Sequence, residues 1–283
     1  MSVVASWFDP ATRAGRLQRA EGRARIAFKR RGGMTALDQL YQMGVLRLRL
    51  PRTEPGEPPE AVLLNTAGGL TGGDRLTLEA AWAAGTAATL TGQAAERVYR
   101  ALEDVAQVQT RLAVADGAKA EWLPQETILF DGAALRRDLQ VRLAGTASFL
   151  GVETLVFGRA AMGERVASGS LHDAWRIWRD GRLVFAEALR LNGHLDRALV
   201  RPAAGGGLAA FALLLLAAPD AEARLPALRV ALTSARGLAG ASTWNGLLLA
   251  RFAAADGATL RGDLLPALAL LRDGRPAPRV WRC

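Results

Sequence analysis

The sequence predicts a mainly β protein of the α+β class, a stacked, solenoid-like β-sheet body with two helices packed near the C-terminus. Three observations predict it. Apolar residues recur at every second position through most of the chain, as in Leu76, Leu78, Ala80 and Trp82, or Leu139, Val141 and Leu143. That period is the signature of half-buried strands. A strand-rich unit also repeats about every 30 residues, as stacked architectures require. Segments opening at Gly85, Gly117 and Gly145 lead to Glu96-Arg97-Val98-Tyr99, Glu126-Thr127-Ile128-Leu129-Phe130 and Glu153-Thr154-Leu155-Val156-Phe157. Beyond residue 200 the spacing turns helical, with Leu225, Leu228, Ala231 and Leu232 on one face and Leu260, Leu264, Leu268 and Leu271 on another. The chain reads as one domain, 1–283, with a strand-rich body over 1–200 and strands plus two helices over 201–283.

Taken in order, Gly15 to Leu50 reads as strands joined by the basic connection Lys29-Arg30-Arg31-Gly32-Gly33, and Pro51 to Pro59 as a surface loop. The apolar run Ala61 to Leu64 ends at Asn65-Thr66-Ala67-Gly68-Gly69-Leu70-Thr71-Gly72-Gly73-Asp74. Four glycines in six residues exclude a helix or regular strand and specify a tight connection closed by a carboxylate. The loop is not a phosphate cradle: it lacks the terminal Gly-Lys-Ser/Thr, and the next segment, Arg75 to Trp82, alternates as a strand. Val108 to Val114 and Leu139 to Leu143 are further strands. If the repeats stack in register, Glu96, Glu126 and Glu153 form a row with adjacent strands about 4.8 Å apart. Such a row is either neutralised by Arg97, Arg100 and Arg159 or faces water and passes a divalent cation along. Trp175 to Phe185 forms two strands around an Asp180-Gly181 turn, and Leu189-Arg190-Leu191 gives a further strand before Gly193. Phe211 to Leu216 is a strand, and Asp220 is the expected N-cap of a helix through Ser234. Short strands at Ala241 to Trp244 and Leu247 to Phe252 precede a helix over Asp256 to Arg272, with Pro266 as a kink.

Composition narrows the function. Half of the 283 residues are hydrophobic, enough for a sizeable core. The net charge is +9, but of 36 basic residues only Lys29 and Lys119 are lysines, and the arginines are scattered along strand faces as in Leu46-Arg47-Leu48-Arg49-Leu50. A β-rich polyanion-binding module therefore rests on charge alone, without the aromatic and basic interleaving that stacks bases. Cys283 is the sole cysteine, which excludes a disulfide framework and a cysteine zinc site and fits a reducing cytoplasm. Met1 to Pro10 has no secretory pattern, and Leu208 to Ala218 is shorter than the roughly 20 residues of a bilayer span. The two histidines, His172 and His194, sit near strand ends and cannot by themselves make a tight zinc site. There is no Gly-x-Ser-x-Gly elbow. A glycosidase would draw on Glu126 with Asp131 or Glu164, but only 6% of residues are aromatic, few for a sugar platform.

Five motifs in order carry a resemblance. They are Asn65 to Asp74; Thr91-Gly92-Gln93-Ala94-Ala95-Glu96-Arg97-Val98-Tyr99-Arg100; Leu123-Pro124-Gln125-Glu126-Thr127-Ile128-Leu129-Phe130-Asp131-Gly132; Phe157-Gly158-Arg159-Ala160-Ala161-Met162-Gly163-Glu164; and Pro278-Arg279-Val280-Trp281. Together they resemble the urease accessory protein D family, also called H, over nearly the whole chain. The resemblance implies a cytoplasmic, non-enzymatic scaffold that binds apo-urease and accessory protein F, and through F the GTPase G that brings nickel. It implies no tightly bound cofactor, no nucleic-acid or membrane partner, and nickel as transient cargo through an interior channel. Carboxylates suit that task, because oxygen ligands hold nickel weakly enough to release it. On this reading Asp74, Glu126, Asp131, Glu153 and Glu164 are the channel or gate carboxylates, and Tyr99 and Arg159 orient them. Gly68, Gly69, Gly72 and Gly73 shape the loop, and each carboxylate has the alternative role of an N–H acceptor holding a turn. One departure is visible: many members carry Thr-Lys where this chain has Glu96-Arg97.

Overall fold

A computed structural model describes residues 18–54, 56–159 and 163–282. Met1 to Pro10, Cys283 and Ala160-Ala161-Met162 of the fourth motif lie outside the described residues. The strands are β1 (Glu21–Arg31), β2 (Met34–Gly44), β3 (Leu46–Arg49), β4 (Glu60–Asn65), β5 (Arg75–Trp82), β6 (Ala87–Gly92), β7 (Glu96–Val98), β8 (Ala106–Val114) and β9 (Lys119–Leu123). They continue with β10 (Thr127–Leu129), β11 (Ala133–Leu143), β12 (Ser148–Phe157), β13 (Ser168–Arg179), β14 (Arg182–His194), β15 (Ala210–Ala217), β16 (Leu238–Trp244) and β17 (Leu247–Ala254). Among the described residues three α-helices accompany them: α1 (Leu195–Leu199), α2 (Leu225–Leu232) and α3 (Gly257–Leu271).

These strands build two stacked sheets. The first has the order β14-β13-β11-β8-β5-β1-β2, the second β16-β17-β15-β12-β9-β6-β4-β3, with β7 and β10 pairing beside β12. From β5 to β13 the chain alternates between the sheets, and successive strands within each sheet pair in parallel. Each repeat is therefore one coil, as the period predicts. The corner glycines Gly85, Gly117 and Gly145 share a left-handed φ of +64°, +67° and +51°, which explains why glycine recurs there. Consecutive corners are tied together: Gly85 N–H donates to the Asp116 carbonyl at 3.1 Å, and the Asp116 carboxylate accepts from Thr146 N–H at 2.7 Å. Antiparallel edges, β1 with β2 and β13 with β14, flank the parallel centre.

The inward half of each alternating strand makes the core between the sheets, where Trp82 lies 5.7 Å from Phe28 and Phe149 6.5 Å from Trp175, centroid to centroid. A second core covers the far side of the second sheet. There Leu123, Val152, Leu214, Leu216 and Leu248 pack under Leu228 of α2 and Leu260, Leu264 and Leu268 of α3. Burial on both faces explains the continuous apolar run of β15, which alternation alone would not give.

The third helix begins where the sequence predicts: Asp256 is its N-cap and accepts from Thr259 N–H at 2.7 Å. The preceding helix does not. Asp220 caps nothing and instead pairs with Arg224 at 2.8 Å, a 3-10 turn spans Glu222–Arg224, and α2 starts at Leu225 with Pro226 in its first turn. Pro266 lies inside α3.

The expected carboxylate row is also corrected. Thr127 lies level with both Glu96 and Leu155, so Glu126 is one residue out of step with Glu96 and with Glu153. Because side chains alternate, a one-residue slip sends Glu126 to the opposite face. Nor do the predicted arginines neutralise the three. Glu126 pairs with Arg261 of α3 at 2.7 Å, Glu153 with Arg137 at 2.6 Å, and Glu96 accepts from the Asn65 amide at 3.1 Å.

Candidate functional site: two interior cavities and the charged cluster between them

The glycine signature carries the chain from β4 in the second sheet to β5 in the first, around one end of the space between them. Its middle is stitched to β7, with Leu70 N–H donating to the Arg97 carbonyl and Tyr99 N–H to the Leu70 carbonyl, both at 2.7 Å. Close approach dictates the glycines. A Cβ on Gly69 would stand 2.4 Å from a Tyr99 ring carbon, and one on Gly72 2.2 Å from the Glu103 carbonyl oxygen. Asn65 folds the loop entrance, accepting from Ala67 N–H at 3.0 Å and donating to Gly69 O and to Glu96 Oε1. Asp74 is buried, and its two oxygens accept from the Ala20 and Thr71 N–H groups, each at 2.8 Å. Both oxygens are thus committed to backbone.

Inside this loop lies a cavity of about 330 Å³ between the sheets, walled by Leu70, Val108, Thr110 and Leu135, with Glu96, Thr127, Arg137 and Glu153 among its polar groups, Arg97 and Gln125 being others. A second, of about 670 Å³, is walled by Phe157, Phe211 and Leu213, with Asp173, Glu187 and Arg251. Glu153 lines both. The two cavities therefore meet at the cluster it belongs to.

That cluster centres on Arg137, an inward residue of β11. Its guanidinium donates from Nε and Nη2 to the two oxygens of Asp173, at 3.0 and 2.8 Å, and from Nη1 to Thr127 Oγ1 at 2.7 Å. The same Nη1 lies 2.6 Å from Glu153 Oε1, an ion pair outside hydrogen-bond geometry, so that oxygen accepts no hydrogen bond. The side chains of Arg137, Glu153 and Asp173 are only 11%, 6% and 8% exposed. Burial pushes the Glu153 carboxyl up, against the pull of Arg137, and Asp173 adds to the rise. Burial likewise pushes Glu96 up to about 7, against the Asn65 amide and Arg137. Arg137 itself is held more firmly charged than usual, its desolvation outweighed by Asp173, Glu153 and Glu96.

The other sequence-nominated residues lie elsewhere. Glu126 faces the helical layer, where its partner Arg261 also sits 5.0 Å from the Trp281 ring. Asp131 accepts from the Ala167 and Ser168 N–H groups at 2.9 Å and pairs with Arg100 at 2.7 Å. Those contacts, led by the Ser168 N–H, hold its carboxyl below the usual range. Glu164 pairs with Arg159 at 2.7 Å, and the Arg159 guanidinium lies 4.6 Å from the Phe130 ring. Phe130 meets Tyr99 edge-on at 5.2 Å, and Tyr99 donates from its hydroxyl to the Gly68 carbonyl at 3.2 Å. Tyr99 and Arg159 thus form one brace between the glycine loop and the coil corner. Of the five nominated carboxylates only Glu153 lines the two cavities.

Two members of the cluster escape a reading by motif, Arg137 and Asp173. A signal for both exists in the alternation. Arg137 falls between Leu135 and Leu139, and Asp173 between Leu171 and Trp175, at the inward parity of their strands. Among the described residues no three His, Cys, Asp or Glu side chains converge into a ready metal site, and no helix is long and apolar enough to cross a membrane.

Comparison with known proteins accounts for the shared motifs. The family model described as UreD urease accessory protein matches residues 20–282. Proteins named urease accessory protein UreD are 50% identical in Rhizobium etli, over 99% of both chains, and 49% identical in Xanthobacter autotrophicus, over 98% of both. Another, in Agrobacterium fabrum, is 46% identical over 99% of this chain and 97% of its own. With a family model spanning the two-sheet body and the helical layer, and relatives matched end to end, the chain belongs to the UreD urease accessory protein family.

Proposed function

We propose that this chain is a non-enzymatic scaffold for urease maturation, through whose interior nickel travels toward the apo-urease site. Family membership supports the accessory role. The observation that carries the interior route is the pair of cavities between the sheets that meet at Glu153, with Glu96 and Asp173 beside them. Glu96 and Glu153, whose protons burial holds above the ordinary carboxylate range, can take up a divalent cation as they ionise and release it again. Oxygen donors without histidine or cysteine keep that hold weak. Nickel is cargo on this reading, and no cofactor stays bound. Accessory protein F, and through it the GTPase G, would deliver the metal to one cavity mouth, with apo-urease at the other, in the cytoplasm and without nucleic acid or membrane.

The test is the nickel content of urease purified from cells that express its subunits and the other accessory proteins. Nickel occupancy is expected to collapse without this chain and to return with it. The Glu153→Gln variant is expected to bind urease as before and to restore less nickel. Full loading without the chain would overturn the scaffold reading, and full loading with a folded Glu153→Gln chain would overturn a role for Glu153.

A further inference from the structure

We infer that Arg137 is a cationic plug: in the free chain its guanidinium occupies the place between Glu153 and Asp173 that a divalent cation would take, and it bars metal from passing between the two cavities. The inference rests on the interior route proposed above and names the residue that controls it.

Position comes first. Arg137 lines the smaller cavity, Asp173 the larger, and Glu153 both, so a cation moving from one cavity to the other meets this cluster. Occupancy comes second. Both Asp173 oxygens and Glu153 Oε1 lie within 3.0 Å of one guanidinium, so the oxygens facing each other across the cluster are already engaged by it. Charge comes third. A guanidinium cannot shed its proton in a protein, whereas a carboxylate can, so the plug is permanent for as long as the side chain stays in place. A dication at the cluster would face that fixed positive charge in a low-dielectric interior, where repulsion is strong. Metal passes only when the guanidinium swings out of the cluster.

A purely structural fastener between the sheets would be served as well by apolar side chains, since buried ion clusters are often no more stabilising than hydrophobic replacements. The two roles separate experimentally, because the plug depends on charge and the fastener on shape. Tag-free chain is titrated with Ni²⁺ by calorimetry, in four forms: natural, Arg137→Lys, Arg137→Gln, and Arg137→Gln with Glu153→Gln. The natural chain and Arg137→Lys are expected to lack the interior site. Arg137→Gln is expected to gain one site per chain, with affinity at least about tenfold above any background, and the added Glu153→Gln to abolish the gain. No gain in Arg137→Gln overturns the inference, as does an equal gain in Arg137→Lys. If Arg137→Gln fails to fold, Arg137→Met, similar in length and likewise uncharged, takes its place. It is expected to show the same Glu153-dependent site, and its absence in that folded variant is equally fatal. A Glu153-dependent site in Arg137→Gln, together with unchanged urease loading by Glu153→Gln, would leave the plug standing and remove Glu153 from the nickel route. The converse pair of results would keep the route and remove the plug.

Discussion

Gly69 can carry no side chain. Its φ of +149° is one that other residues rarely adopt, and an added Cβ would collide with Tyr99 and with the Arg97 carbonyl oxygen, 2.7 Å away. Gly69→Ala is therefore expected to lose about 2 kcal/mol or more of stability, measured by urea unfolding. Glu96 gives a prediction with a definite sign. Its carboxyl keeps its proton in the folded chain up to about 7, against an ordinary 4.5. Between those values the folded state binds more protons than the unfolded state, so stability falls as pH rises through that window. The loss due to Glu96 is on the order of 3 kcal/mol, and Glu96→Gln is expected to make that part of the profile shallower in melting experiments at pH 5, 6 and 7, the slope due to Glu153 remaining. The carboxyls held low, such as Asp131 and Glu164, are ionised in both states over most of this window and add little to its slope. What the sequence conceals at this level is partnership. Asp74 is legible as a turn acceptor from its place after the glycines, but nothing local announces that Arg137 will meet Asp173, 36 residues later on the neighbouring strand.

Helix α3 shows how a single element is fixed to the body. Its C-cap residue Arg272 is buried and pairs with Glu121 of β9 at 2.9 Å, and Arg275 reaches the same carboxylate at 2.6 Å. These contacts hold the Glu121 carboxyl below its ordinary range although burial, the largest influence, acts to raise it. Removing that carboxylate leaves two arginines, one of them fully enclosed, without their shared partner. Glu121→Ala is expected to cost about 3–5 kcal/mol and to expose the α3 amides to hydrogen exchange before the rest of the chain. Asp256→Ala, which removes only the N-cap, is expected to cost about 1 kcal/mol by the same measurement. The limits of α3 are legible because Asp256 and the leucine spacing agree. Those of α2 are not: Asp220 resembles a cap, but Arg224 claims its carboxylate, and Pro226 sets the true start.

The coil architecture of the molecule is written in the glycine corners and the recurring Glu-led segments, and so is legible without coordinates. Register is the weak point. The similarity of the three Glu-led segments places Glu126 with Glu96 and Glu153, but hydrogen bonding sets it one step off and under the helices. Between the sheets, among the described residues, Glu153 is the one nominated carboxylate that lines both the smaller and the larger cavity. Whether metal uses that interior is decided by blocking it. Thr110, inward on β8 and 4% exposed, lines the smaller cavity. Thr110→Trp would place an indole in the metal's path without changing a charge, and its melting curve and its co-purification with urease report whether the fold and the assembly survive. With both intact, the nickel content of urease matured with Thr110→Trp is expected to fall to the level seen without the chain. Full nickel occupancy with that variant would contradict an interior route.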